Sequence, residues 1–184
     1  MATPRYVTVA EFKTYNNIVT ATYDAIINDM IVSAEKYIDA FTKRRYDAHT
    51  VTYYFNDFGK LVCSNFPLSN VVITYDGTTI DSSEYLVQEH GVIDHLSGNI
   101  YSGYQLIKVV ATAGNVIANI DESIKNCVRI LAKLELKDVE GVGKNLFMQG
   151  TNNHNQNSQS IERDYYLKLV NEKLESYRLW ELEV

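Results

Sequence analysis

Apolar positions along this chain change period twice. Over residues 22–45, Ile27, Met30, Ile31, Ala34, Ile38 and Phe41 recur at the spacing of one helical stripe. Asp24, Asn28, Asp29, Glu35, Lys36 and Asp39 fall on the other faces and are expected to stay wet. The pattern predicts a long helix, capped by Thr20 or Thr22, with Asp24 in the first turn and Lys43, Arg44 and Arg45 at its far end. Ahead of it, residues 8–16 read as a short helix, because Thr8 and Glu11 have the spacing of a capping box and Val9 and Phe12 share a face.

From 50 to 114 the period falls to two. Residues 51–55, 60–64, 70–77, 85–89, 91–96 and 104–114 are strand-like, separated by turn chemistry such as Asp76-Gly77 and His90-Gly91. The links are too short for parallel crossovers, so an antiparallel sheet is predicted. Helical periodicity returns over 120–139, where Ile120, Ile124, Cys127, Val128, Leu131 and Leu134 line one face. Gly141 and Gly143 are expected to end that helix. The fold class is therefore α+β: two antiparallel helices packed together, with a small antiparallel sheet between them in sequence.

Beyond this core, over residues 1–144, lies a polar stretch. Residues 145–160 contain no Asp, Glu, Lys or Arg and are rich in Asn, Gln and Ser, which suits a connector or long loop. Residues 161–184 then read as a last helix. Tyr166, Leu169, Val170, Leu174 and Tyr177 share a face, with Tyr165 and Trp180 beside it. Either this face folds back on its own domain or it docks on another subunit, and these seven residues are the candidate partner interface.

Length suits one domain of about 100–200 residues. The net charge of −6 argues against a dedicated nucleic-acid-binding face. Fourteen tyrosines against six phenylalanines fit either amphipathic packing or a large contact surface. Cys63 and Cys127 read as small buried hydrophobes, in a reducing compartment. No signal peptide is expected from the first residues, and no apolar run approaches the ~18 residues of a membrane span.

Catalytic signals are weak. His90 and His95 flank Asp94, but their spacing matches no metal-ligand pattern. Gly141-Val142-Gly143-Lys144 lacks the preceding strand, the glycine spacing and the Ser or Thr of a phosphate loop. Lys43-Arg44-Arg45 could touch a phosphate or an acidic partner, or simply complement a helix end. No catalytic constellation, cofactor or metal is expected.

The order of parts resembles the head–tail connector (adaptor, or head-completion) proteins of tailed bacteriophages. The likeness rests on TVAEFKTY (8–15), on AEKYIDAFTKR (34–44), on PLSNVVITYDG (67–77), on VVATAG (109–114) and on IKNCVRILA (124–132). Lys43 stands where the family usually has Gly, and Phe41 where it has Tyr. The resemblance covers roughly residues 6–138. It implies a structural virion protein without enzymatic activity, made in the host cytoplasm and placed in the neck. It further implies a ring of usually twelve copies beneath the portal protein, which extends the DNA channel without sequence-specific binding and meets a neck or tail protein below. The alternatives are another neck or tail structural protein, or a small-ligand or enzymatic domain.

Overall fold

The computed structural model describes residues 2–96, 101–139, 142 and 156–178. Where length alone suggests one domain, the chain divides into two compact units: residues 1–44 with 120–184, and residues 45–119.

The first unit is helical. Helix α1 (Val9–Tyr15) opens on the capping box that Thr8 and Glu11 predict. Helix α2 (Asp24–Thr42) carries the long stripe: Ile27, Ile31, Ala34 and Ile38 are fully buried, and Met30 and Phe41 half-buried. It starts without a side-chain cap, because Thr20 and Thr22 bond to each other instead of to the helix. Lys13 reaches Asp24 in its first turn, Nζ to Oδ1 at 2.7 Å. The helix ends at Thr42, three residues short of the predicted end at 45. Lys43 adopts a left-handed backbone (φ 54°), and its N–H and that of Arg44 both donate to the Asp39 carbonyl. The three basic residues therefore lie past the last helical turn.

Helix α3 (Glu122–Asp138) is capped by Asp121, which accepts from the Ser123 N–H at 2.7 Å. Its stripe of Ile120, Ile124, Cys127, Val128, Leu131 and Leu134 is buried. Helices α2 and α3 pack on each other, as the two distant stripes require, and Ser33 donates to Glu135 at 3.2 Å across the seam. Helix α4 (Gln156–Glu175) starts five residues earlier than expected, since the Asn/Gln/Ser run at 156–160 is already helical. Residues 145–155 and the two glycines at 141 and 143 lie outside the described residues.

Among the described residues, the second unit holds seven strands in two antiparallel sheets, where the sequence suggests one. Strands β1 (His49–Asp57), β7 (Ser102–Ala113), β3 (Leu68–Tyr75) and β4 (Thr78–Thr79) form a four-stranded sheet in that order. Strands β2 (Lys60–Val62), β6 (Val92–His95) and β5 (Tyr85–Val87) form the other. Phe58, Leu61, Cys63, Ile73, Ile80, Ile93, Ile107 and Val109 make a single apolar core from both. Alternate strand residues supply it, so the period-2 pattern is satisfied by two facing layers.

Candidate assembly interface

The helical unit has charged groups in its interior. Glu35, expected on a wet face, is fully buried. Its Oε1 accepts the backbone N–H of Tyr6 at 2.7 Å and of Arg5 at 2.8 Å, with Val7 at 3.4 Å, and its Oε2 accepts that of Arg5 at 3.0 Å. One helical carboxylate thus fastens the segment ahead of α1. One turn on, Asp39 pairs with the Arg5 guanidinium at 2.7 Å and accepts the Tyr6 hydroxyl. Burial pushes the Glu35 carboxyl above its usual range, against the opposing pull of the three N–H groups and the Arg5 charge. On α3, buried Lys125 lies 3.7 Å from Glu11, and Arg129 bonds Glu122 and Asn126 while its guanidinium sits 5.1 Å over the Tyr15 ring. Burial raises the Glu11 carboxyl, but the Thr8 hydrogen bonds and the charges of Lys125 and Arg129 outweigh it and hold the group low. These groups order the unit.

The C-terminal residues expected at a partner interface divide into two sets. Val170 and Leu174 are fully buried, and α4 packs on α2 and α3 of its own unit. The Tyr177 hydroxyl donates to Asp121 Oδ2 at 3.0 Å, and that of Tyr37 to Asn171 at 2.8 Å. Tyr165 is 63% exposed and Leu169 41%, so both stay on the outer surface. Tyr166 is half-buried and lines a groove with Tyr15, Ile130 and Leu134. Trp180 lies outside the described residues.

The candidate chemistry does not converge. His95 stacks on Phe58, ring centroids 4.8 Å apart, His90 meets the edge of Phe66, and Asp94 accepts from the Gln88 side chain. Among the described residues no group of His, Cys, Asp or Glu is placed to hold a metal ion. Both cysteines are free and buried, and burial pushes the Cys63 thiol up to about 11. Of the basic trio, Arg45 makes a two-pronged pair with Asp47 at 2.6 and 2.7 Å.

The β unit has an outward feature that no periodicity announces. Between the pairs Phe55–Ile107 and Asp57–Ser102, strand β7 carries four residues where β1 carries one. This bulge sets Tyr104 80% exposed, and the Asn56 side chain accepts the Gln105 N–H at 2.8 Å to hold it. The only hint in sequence is Ser102-Gly103 at the start of the strand.

The fold these parts define is a helical unit formed from the two ends of the chain, with a two-sheet β unit inserted between them in sequence. Solved structures similar to it include chains of gene transfer agent particles. One chain in the neck of an empty particle, computed with C6 symmetry, superposes with a TM-score of 0.58 at 14% identity, covering 96% of this chain and 91% of that one. A chain of the native particle's virion gives 0.56 at 13%, covering 99% and 94%. A chain of the native neck computed with C12 symmetry gives 0.55 at 12%, with the same coverage of 99% and 94%. At these identities the likeness is one of fold. No family model and no curated protein matches the sequence.

Proposed function

We propose that this chain is a structural subunit of the neck of a tailed-phage-type particle, a head–tail connector that assembles as a ring of about twelve copies beneath the portal protein. The observation that carries the reading is the near-full-length superposition on neck chains, through both the helical and the β unit. A ring of identical copies is built from repeated head-to-tail contacts. The net charge of −6 suits a wall past which DNA slides, since an acidic surface repels the phosphate backbone. On this reading the exposed side of α4, with Tyr165 and Leu169, is the candidate portal contact, and a neck or tail protein binds at the opposite rim.

The test is a cryo-EM reconstruction of the neck of particles that carry this chain. A ring of this fold between portal and tail is expected. Particles whose neck lacks it, or turnover of a small molecule by the purified chain, overturn the proposal. In the same particles, Leu169→Asp is expected to weaken portal attachment while leaving thermal unfolding of the isolated protein unchanged, because the side chain is exposed.

A further inference from the structure

Helices α1, α3 and α4 of the helical unit enclose a groove of about 160 Å³, lined by Tyr15, Ile130, Lys133, Leu134, Lys137 and Tyr166. Leu134 is buried at its floor, and the Tyr15 ring on its wall is 52% exposed. An apolar cavity of about 150 Å³ takes up one benzene-sized ring, so the groove has room for a single aromatic side chain. Lys133 and Lys137 stand one turn apart on α3, and the Arg129 guanidinium lies 5.1 Å over the Tyr15 ring. Cations therefore frame the apolar floor, and among the described residues no carboxylate lines it.

The six residues after Arg178, Leu-Trp-Glu-Leu-Glu-Val, complement that lining. They bring the chain's one tryptophan, Trp180, with two carboxylates, Glu181 and Glu183, and no cation. The other stretches outside the described residues have no such excess of acid: 97–100 is uncharged, and in 140–155 Glu140 is matched by Lys144. Reach separates a chain's own groove from a neighbour's. Tyr177 is held to Asp121 at the start of α3 and Arg163 to Asp138 at its end, so α4 runs antiparallel to α3 and finishes beside Asp121. Leu134 lies thirteen residues further along α3, about 20 Å at ~1.5 Å per residue. Trp180 follows Tyr177 by three residues, which span at most about 10 Å.

We infer that residues 179–184 of one copy dock in the groove between α1, α3 and α4 of the next, with Trp180 on Leu134, Tyr15 and Tyr166 and with Glu181 and Glu183 against Lys133 and Lys137. Segment and groove are different surfaces of the same chain, so the contact is heterologous and repeats head to tail, as a ring requires. The inference rests on the ring reading above and supplies one of its contacts. A tryptophan seated in a pocket, with charged pairs at the rim, is the arrangement that dominates many protein interfaces.

Sedimentation velocity of the full chain over a concentration series, read beside the emission of its single tryptophan, tests the docking. As copies associate, Trp180 emission is expected to move to shorter wavelength and to resist acrylamide quenching, and added sodium chloride to weaken the association. Trp180→Ala, and separately Lys133→Glu combined with Lys137→Glu, are each expected to stay monomeric with an unchanged circular dichroism spectrum. Mixed together, these two variants are expected to form a heterodimer, because one keeps its groove and the other its 179–184 segment. Should the lysine variant misfold, Trp180→Ala and the emission of the unsubstituted chain decide. Association with Trp180 emission unmoved overturns the docking and leaves the ring reading standing. Blue-shifted emission from a chain that stays monomeric puts the segment on its own copy and overturns the contact between copies. A monomer whose Trp180 is solvent-exposed at every concentration, or shielded only on addition of portal, also overturns it, and the ring reading is then judged by the neck reconstruction.

Discussion

The two units keep themselves together by different means. The β unit has a core of aliphatic and aromatic side chains from two sheets. The helical unit buries its apolar stripes too, yet also takes Glu35, Thr42, Lys125 and Arg129 into its interior. A hydrophobic core is indifferent to direction, whereas a buried carboxylate with three N–H donors accepts one backbone arrangement. The helical unit therefore fixes where its N-terminal segment lies, a property suited to a part that must present the same surface in every copy.

The largest effect is expected from removing that carboxylate. Glu35→Ala leaves the N–H groups of Arg5, Tyr6 and Val7 without their buried acceptor and should cost at least about 3 kcal/mol, at roughly 1–3 kcal/mol for each unsatisfied group. Ile73→Ala in the β core should cost a similar 2–5 kcal/mol, roughly, through lost transfer energy and a cavity. Denaturant titration measures both, and pH separates them. Because burial raises the Glu35 pKa in the folded chain, the folded state binds its proton more tightly than the unfolded state does. The Glu35 contribution is thus fully present below the unfolded value near 4.5 and is lost as pH rises through the folded value. Stability of the helical unit should climb as pH is lowered from neutrality toward that range, and Glu35→Gln should flatten the slope. Ile73→Ala should leave it unchanged. A slope that survives Glu35→Gln intact would mean the buried carboxylate is not its source.

A smaller effect is expected at Asp121, which caps α3 with one oxygen and holds Tyr177 of the chain end with the other. Asp121→Ala should cost about 1–2 kcal/mol, the usual loss for an N-cap, and Asp121→Asn much less. Here the pH sign reverses. Hydrogen bonding to Ser123 holds this carboxyl low, so its contribution is present above the unfolded value near 3.8 and is lost as pH falls through the folded value. Acid unfolding at higher pH in Asp121→Ala than in the unsubstituted chain checks it. No difference between the two would mean that α3 starts equally well without its cap.

These contrasts also mark what the residues disclosed and what they hid. The stripes of α2 and α3 and the Thr8–Glu11 box were readable because each is a local period or spacing. Glu35 was not, since a carboxylate on a helix reads as solvated unless its donors are known, and these come from backbone about thirty residues earlier. Two sheets instead of one could not be read either, because the partner of each strand is set by long-range pairing and not by alternation. The early start of α4 was hidden by composition: the Asn/Gln/Ser run has the look of a connector, and what places it in a helix is continuity with packed turns beyond. The outer face of that helix was overstated for the same reason. Periodicity groups Val170 and Leu174 with Leus and Tyrs, but only packing divides the buried members from Tyr165 and Leu169.

The smallest effect compares left-handed positions in the two units. Lys43 ends α2 at φ 54°, where a side chain with a Cβ costs about 1–2 kcal/mol and glycine is at ease. Against this, glycine loses more freedom on folding, by roughly 0.5–1 kcal/mol. Lys43→Gly is therefore expected to stabilise the protein by a few tenths to about 1 kcal/mol, read as a rise in melting temperature. In the β unit the comparable turn residue is Asp76 at φ 47°, and Asp tolerates this conformation far better than Lys does. Asp76→Gly should thus gain nothing or lose slightly. If both substitutions stabilise equally, the strain at Lys43 is no greater than at an ordinary turn. The helix end would then be set by the Asp39 carbonyl and its two N–H donors alone.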